Sequence, residues 1–292
     1  MQLPTLGWIG TGVMGRWMAG HLQAAGHPLV VHSRTRSKAA PLLEAGATWA
    51  DTPAEVAARA EVVFTMVGLP SDVETVVLGS EGILSGSPGC RLLVDCTTSQ
   101  PALAERIAEA TAARGIGSVD APVSGGDVGA REGKLVVFMG GSEAACAEAA
   151  PLVARFSRLA QRFGGPGAGQ HAKMGNQIIV AGNMIGLCES LVYAARQGLD
   201  AAQLVEVVAQ GAARSFAVEN LGPRILKEDF APGFFVEHFL KDLGIACEEC
   251  ARIGLDLPGL DLARRLYRRT ADMGHGRSGT QALYLALNEG GG

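Results

Sequence analysis

Leu6-Gly7-Trp8-Ile9-Gly10-Thr11-Gly12-Val13-Met14-Gly15 runs from a short apolar segment into three glycines spaced G-x-G-x-x-G, and apolar residues then recur at helical intervals to about residue 25. This is strand, tight turn, helix. Gly10 permits the turn, Gly12 lets a pyrophosphate approach the backbone, and Gly15 lets helix and strand pack closely. The start of the helix supplies N–H groups and the positive end of a dipole. Gly10, Thr11, Gly12, Val13, Met14 and Gly15 are therefore the expected cradle of a dinucleotide, against the plainer reading of a glycine turn without chemistry.

Working outward, the next strand covers residues 28–31 and ends in His32-Ser33-Arg34-Thr35-Arg36. An NAD site usually places an acid there for the ribose 2′-hydroxyl, and none is present. Ser33, Arg34 and Thr35, with Arg36, are instead suited to a 2′-phosphate, which Arg grips through its planar fork of donors. The expectation is NADP, with NADPH preferred over NADH; the alternative is a solvated basic turn.

Strand and helix patterns alternate further through 62–67, a helix from about residue 71, a strand at 92–95, a helix from about residue 101 and a strand around Val119. Alternation of this kind predicts a doubly wound α/β sheet whose ligands lie beyond the carboxyl ends of its strands. The loop containing Leu69 and Pro70 and the loop Asp95-Cys-Thr-Thr98 should then line the cofactor cleft. Thr98 reads either as a cofactor hydroxyl or as the N-cap of the helix near Pro101. Asp120-Ala-Pro-Val-Ser124-Gly125-Gly126 reads either as a nest of N–H groups for an anion or as a hairpin turn. Strands at 135–139 and 159–163, with a helix from Ser142 between them, complete this part of the chain.

Residues 164–169 are too glycine-rich for regular structure, whereas 170–196 contain no proline and carry apolar residues at helical spacing. Lys173, Asn176 and Gln177 fall at i, i+3 and i+4, on one face of that long helix. Spacing alone leaves Lys173 readable as a solvated helix lysine. Beyond it, 201–210, 218–226, 236–253 and 260–273 read as helices, and residues 290–292 as a frayed end. The expected organisation is a nucleotide-binding domain over 1–164, followed by an all-helical domain over 165–292 for substrate and oligomerisation.

The chain has 292 residues, 48% hydrophobic and 18% charged, with a net charge of -4. This composition is that of a globular protein with ample core and argues against a nucleic-acid surface. The opening residues lack a secretory pattern and no run of about 18 uncharged apolar residues occurs, so a soluble cytoplasmic protein without membrane attachment is expected. Of six scattered cysteines only Cys247-Glu-Glu-Cys250 has a redox or metal spacing; without a second pair it reads as structural. His32, Asp120 and Glu189 lack metal-ligand spacing, and no metal is expected. His171, two residues from Lys173, faces another side of the helix, while His238 lies one turn before Lys241.

Four signatures in order resemble the beta-hydroxyacid dehydrogenase family: Gly7-Trp-Ile-Gly-Thr-Gly-Val-Met-Gly15, Asp120-Ala-Pro-Val-Ser-Gly-Gly126, Gly167-Ala-Gly-Gln-His-Ala-Lys173-Met-Gly-Asn176 and Phe239-Leu-Lys241-Asp-Leu243. The resemblance spans nearly the whole chain. It implies an N-terminal Rossmann-type sheet joined through the long helix to an all-helical domain, and subunits paired as homodimers or homotetramers. It also implies Lys173 as the catalytic lysine, Ser124, Gly125 and Gly126 as a cradle for a small carboxylate substrate, Thr98 as a cofactor contact and Lys241 as a residue closing over cofactor or substrate. Asn176, Gln177 and Asp242 are expected on the substrate. Many members have asparagine four residues after the lysine, where this chain has Gln177.

The implied reaction moves a hydride between NADP(H) and a small beta-hydroxyacid or its semialdehyde, of the 3-hydroxyisobutyrate, tartronate semialdehyde, succinic semialdehyde or glyoxylate class. Negative charge grows on the carbonyl oxygen during reduction, and a lysine ammonium both stabilises and protonates it. Oxidation requires a neutral lysine, which burial beside Lys241 would favour. The competing expectations are a non-catalytic NADP-binding scaffold and an imine reductase, in which that lysine is usually replaced.

Overall fold

The computed structural model describes residues 3–289. Its contacts divide the chain into two compact units, one ending at Lys173 and the other beginning at Met174.

The first unit is built on β1 (Leu6–Ile9), β2 (Leu29–His32), β3 (Thr48–Trp49), β4 (Val62–Thr65), β5 (Leu92–Asp95), β6 (Gly117–Asp120), β7 (Val123–Ser124), β8 (Leu135–Gly141) and β9 (Ser157–Gly164). They form one sheet in the order β3-β2-β1-β4-β5-β6-β8-β7, with β9 paired to β8. From β3 to β6 every pairing is parallel; β8 then runs antiparallel to β6 and β7 antiparallel to β8. The doubly wound arrangement is present, with a mixed edge that alternation alone had not suggested.

Seven helices accompany the sheet: α1 (Gly15–Ala24), α2 (Ala40–Glu44), α3 (Pro53–Arg59), α4 (Pro70–Leu78), α5 (Pro101–Ala112), α6 (Gly126–Glu132) and α7 (Glu143–Val153). Side chains alternate across the strands, and both faces are covered. Leu6, Trp8, Phe64 and Val94 pack with Met18 and Leu22 of α1, while Ile9, Val63 and Leu93 pack with Val56 of α3 and Ile107 of α5. Burial on both sides explains why the central strands read as nearly continuous apolar runs. Trp8 stacks on Phe64 at 5.4 Å between ring centres, and Phe156 meets both edge-on at 6.2 Å.

The long helix α8 spans Ala168–Arg196. The second unit continues with α9 (Ala201–Val208), α10 (Gly222–Leu226), α11 (Val236–Arg252), α12 (Pro258–Thr270) and α13 (Leu283–Glu289). Among its described residues there is no strand, only an isolated bridge between Phe235 and Gly279. The expected helix over 218–226 is present, its first part, Ala217–Leu221, wound as a wider π-helical turn before α10, and the expected helix over 260–273 gives way after Thr270 to a second such turn. Met184, Leu187, Leu191, Phe239, Leu243 and Tyr267 centre the core. Tyr267 satisfies its buried hydroxyl on the Thr280 carbonyl at 3.1 Å. By length and composition alone α8 could also cross a bilayer, although no run of uncharged apolar residues as long as a span lies within it. The frayed end expected at 290–292 lies outside the described residues.

Candidate active site

The glycine loop after β1 uses each glycine differently. Gly10 has φ +98°, and a Cβ there would collide with the Met66 carbonyl oxygen; a Cβ on Gly15 would collide with the Gly10 carbonyl oxygen. Gly12 meets nothing within 4 Å. Trp8 Nε1 donates to the Gly10 carbonyl at 3.0 Å, tying the loop to the core. Thr11 is buried with a hydroxyl that has no protein partner, and α1 begins without a side-chain cap. Open space over Gly12, an orphaned hydroxyl and uncapped helix N–H groups fit a dinucleotide pyrophosphate.

At the end of β2, Ser33 Oγ lies 3.5 Å from the Thr11 amide nitrogen. Arg34 extends into solvent and pairs with Asp72 at 3.2 Å. Asp72 also accepts from the Leu69 amide at 3.1 Å, so the Leu69-Pro70 start of α4 lies beside the basic turn. Arg36 lies over the Trp49 ring at 5.2 Å, and Thr35 precedes a short helical turn without capping it. Asp72 was not singled out from sequence; its position three residues after Leu69, at the N3 position of α4, was the available signal.

The carboxyl ends of β5 and β6 meet the start of α8. Asp95 Oδ1 accepts from Thr65 Oγ1 at 2.6 Å and from the Thr97 amide at 3.0 Å, while Thr97 Oγ1 accepts from the Val67 amide. Gln170, wholly buried, accepts from the Ser99 amide at 2.9 Å and donates to the Thr97 carbonyl at 2.8 Å. Thr98 is half-buried in that loop; the residue flanking α5 is Gln100, so Thr98 does not cap it. Asp120 takes the Gly167 amide on one carboxylate oxygen and the Gln170 amide on the other, both at 2.9 Å. Burial pushes its carboxyl up to about 6, despite two N–H donors that favour the ionised form. Lys173, three residues after Gln170, is only 6% exposed. A solvated helix lysine it is not. His171 is exposed, as its different helix face implied.

Val123–Ser124 pairs with β8, placing Ser124 opposite Val136, so this segment is not a plain hairpin. Gly125 (φ +130°) and Gly126 (φ +63°) turn the chain from that short strand into α6.

In the second unit Gln177, 2% exposed, donates through Nε2 to Asp242 at 2.6 Å and accepts from Asn176 Nδ2 at 2.8 Å. Lys241 Nζ lies 2.9 Å from the other oxygen of Asp242. Asp242 is thus the buried centre of a protein-internal polar group, and Asn176, half-buried, stands at its margin. His238 is held below the ordinary imidazole range by burial and then by the Lys241 ammonium. All six cysteines are free thiols; burial pushes those of Cys247 and Cys250 up, away from reactivity. Among the described residues no three His, Cys, Asp or Glu side chains gather as a metal site.

Residues 5–182 match the family model of the NAD binding domain of 6-phosphogluconate dehydrogenase, and residues 167–287 that of the NAD-binding domain of NADP-dependent 3-hydroxyisobutyrate dehydrogenase. A probable 3-hydroxyisobutyrate dehydrogenase-like 1, mitochondrial, from Arabidopsis thaliana is 51% identical over 283 residues, 97% of this chain and 84% of that protein. The solved structure of Mycobacterium tuberculosis 3-hydroxyisobutyrate dehydrogenase with L-serine aligns with TM-score 0.87 and 28% identity, covering 98% of this chain and 99% of that one. Psf3 in complex with NADP+ and 2-OPP aligns with TM-score 0.87 and 26% identity, covering 97% and 100%.

Proposed function

This chain belongs to the beta-hydroxyacid dehydrogenase family, nicotinamide-dependent oxidoreductases with a Rossmann-type domain followed by helices, and from that premise we propose that it transfers a hydride between NADP(H) and a small beta-hydroxyacid or its semialdehyde, with Lys173 as general acid and base. The observation that carries the reading is a lysine 6% exposed at the start of α8, where α8 is hydrogen-bonded to the loop after β5 and to the end of β6. Open α/β sheets bind their ligands at these strand ends.

Gly10 to Gly15, with the Thr11 hydroxyl, hold the pyrophosphate; Ser33, Arg34 and Thr35 receive the 2′-phosphate; Leu69, Pro70 and Thr98 line the remainder. When bound, the nicotinamide supplies or takes the hydride. Lys173 gives its proton to the substrate carbonyl oxygen in reduction and, neutral, accepts the hydroxyl proton in oxidation. Ser124, Gly125 and Gly126 hold the carboxylate through a hydroxyl and backbone N–H groups. Gln177 uses both ends of its amide within the protein, so of the two amides Asn176 is the one that reaches substrate. Asp242 holds Lys241 and Gln177.

The protein acts as a soluble cytoplasmic enzyme and assembles as a homodimer or homotetramer through its second unit. Ile179, Tyr193, Val207, Phe216 and Ile253 are each more than 60% exposed there, and association would cover such apolar side chains. Light scattering at micromolar concentration is expected to return a dimer or tetramer, and a monomer would overturn this part.

The deciding experiment measures NADPH and NADH oxidation with succinic semialdehyde, glyoxylate, tartronate semialdehyde and a cyclic imine. Turnover of an aldehyde acid, faster with NADPH, is expected. Turnover of the imine alone, or of none, overturns the assignment, the latter in favour of a binding scaffold.

A further inference from the structure

We propose that Asp120 is a positioning residue for Lys173: from the end of β6 its carboxylate caps helix α8 in place of any residue of that helix, and so fixes the turn on which Lys173 is carried. The inference rests on the reading of Lys173 as the proton carrier.

A helix starting at Ala168 has Gly167 at its N-cap and Gln170 at N3. Ordinarily an N-cap side chain takes the N3 amide, and a side chain at N3 reaches back for the N-cap amide. Gly167 has no side chain to offer, and Gln170 turns its own toward Ser99 and Thr97. Both amides go instead to Asp120, from 47 and 50 residues away in sequence. The approach depends on two glycines. A Cβ on Gly140 would come within 2.5 Å of Asp120 Oδ1, and one on Gly169 within 2.5 Å of the Asp120 carbonyl oxygen. Side chains at either place would push the helix start off β6.

Charge makes the contact more than a brace. The positive end of a helix dipole disfavours a cation in its first turns, and Lys173 is buried there. An ionised carboxylate across that end offsets the dipole, so the proton on Lys173 is retained and delivered from a defined place. The titratable groups that face Asp120 are Asp95 at the end of β5 and Cys146 on α7, and Cys146 in turn lies beside Arg162 of β9. Neutralising Asp120 weakens both amide bonds and restores the dipole's opposition. Asp120 also ends the strand that leads, four residues on, to Ser124, so one side chain ties the carboxylate cradle to the proton carrier.

Two measurements test this. Hydrogen exchange on the whole protein at pH 8, where the Asp120 carboxylate is ionised, is expected to show the Gly167 and Gln170 amides at least fivefold less protected in Asp120→Asn than in wild type, with the β1 and β4 amides unchanged as the check that the variant folds; equal protection at Gly167 and Gln170 overturns the capping role. In Asp120→Asn, NADPH binding followed by nicotinamide fluorescence is expected to persist, kcat with the aldehyde acid that turns over to fall about tenfold or more with KM within threefold, and the alkaline limb of the pH profile to move to lower pH. Asp120→Glu, which keeps the charge, is expected to recover that limb. If Lys173→Ala abolishes turnover while Asp120→Asn keeps the wild-type kcat and profile, positioning by Asp120 fails and the role of Lys173 stands. If Lys173→Ala turns over normally, both fail.

Discussion

Gln177 donates to Asp242 across 2.6 Å, a contact that binds a residue of the α8 signature to one of the Phe239-Leu-Lys241-Asp-Leu243 signature. Two motifs 65 positions apart in sequence are thus one structural group. Asp242→Asn removes the charge that holds Lys241 and retains only part of the contact to Gln177. The expected loss in unfolding free energy is about 1–3 kcal/mol, read by urea titration. A midpoint equal to wild type would show that the carboxylate contributes no stability.

Lys173→Ala is expected to lower kcat about 100- to 10,000-fold, with the NADPH dissociation constant within threefold. Turnover at the wild-type rate removes Lys173 from the mechanism.

Gly10→Ala forces a Cβ against the Met66 carbonyl oxygen at a backbone φ of +98°. Strain of about 1–3 kcal/mol is expected, together with weaker binding of both NADPH and NADH. Gly12→Ala meets open space in the protein, so its melting temperature should stay near wild type while cofactor binding falls. Equal behaviour of the two variants in both assays would contradict the division of roles within this loop.

Arg34→Ala is expected to weaken NADPH by about tenfold, or 1.4 kcal/mol, and to leave NADH within twofold. Loss of affinity for both alike would mean that Arg34 does not read the 2′-phosphate. Isothermal titration with each dinucleotide distinguishes these results.

Asp120 makes stability depend on pH. Burial raises its carboxyl from the ordinary 3.8 to about 6 in the folded chain, so the native state holds the proton more tightly than the unfolded one. The stabilisation from that proton is complete below pH 3.8 and is lost as pH rises through 6. Between pH 4 and 7 the wild type should therefore lose more stability than Asp120→Asn. Parallel curves would contradict the raised carboxyl.

Much of this is legible in the sequence. Strands buried on both faces read as apolar runs, the three glycines had a recognisable spacing, and α8 was visible from 170 because no proline interrupts its apolar repeat. Its true start two residues earlier was hidden by Gly167 and Gly169, whose composition reads as loop and whose capping partner, Asp120, lies on a strand far off in sequence. The mixed edge was hidden for a similar reason: β7 has only two residues, too few to show a period. Asp72 escaped because an acid in a first helical turn has an ordinary local role, and its second partner, Arg34, comes from another loop. The contact between Gln177 and Asp242 was hidden because nothing in either segment announces the other.

Trp8 offers a built-in optical reporter. Of the three tryptophans it alone has no exposure, and its indole nitrogen is bonded to the carbonyl of Gly10. Any occupant that shifts this peptide alters the surroundings of one interior chromophore, whereas external quenchers such as iodide would silence Trp17, 37% exposed, first. Emission recorded under iodide thus follows ligation at the first turn of the chain without a label.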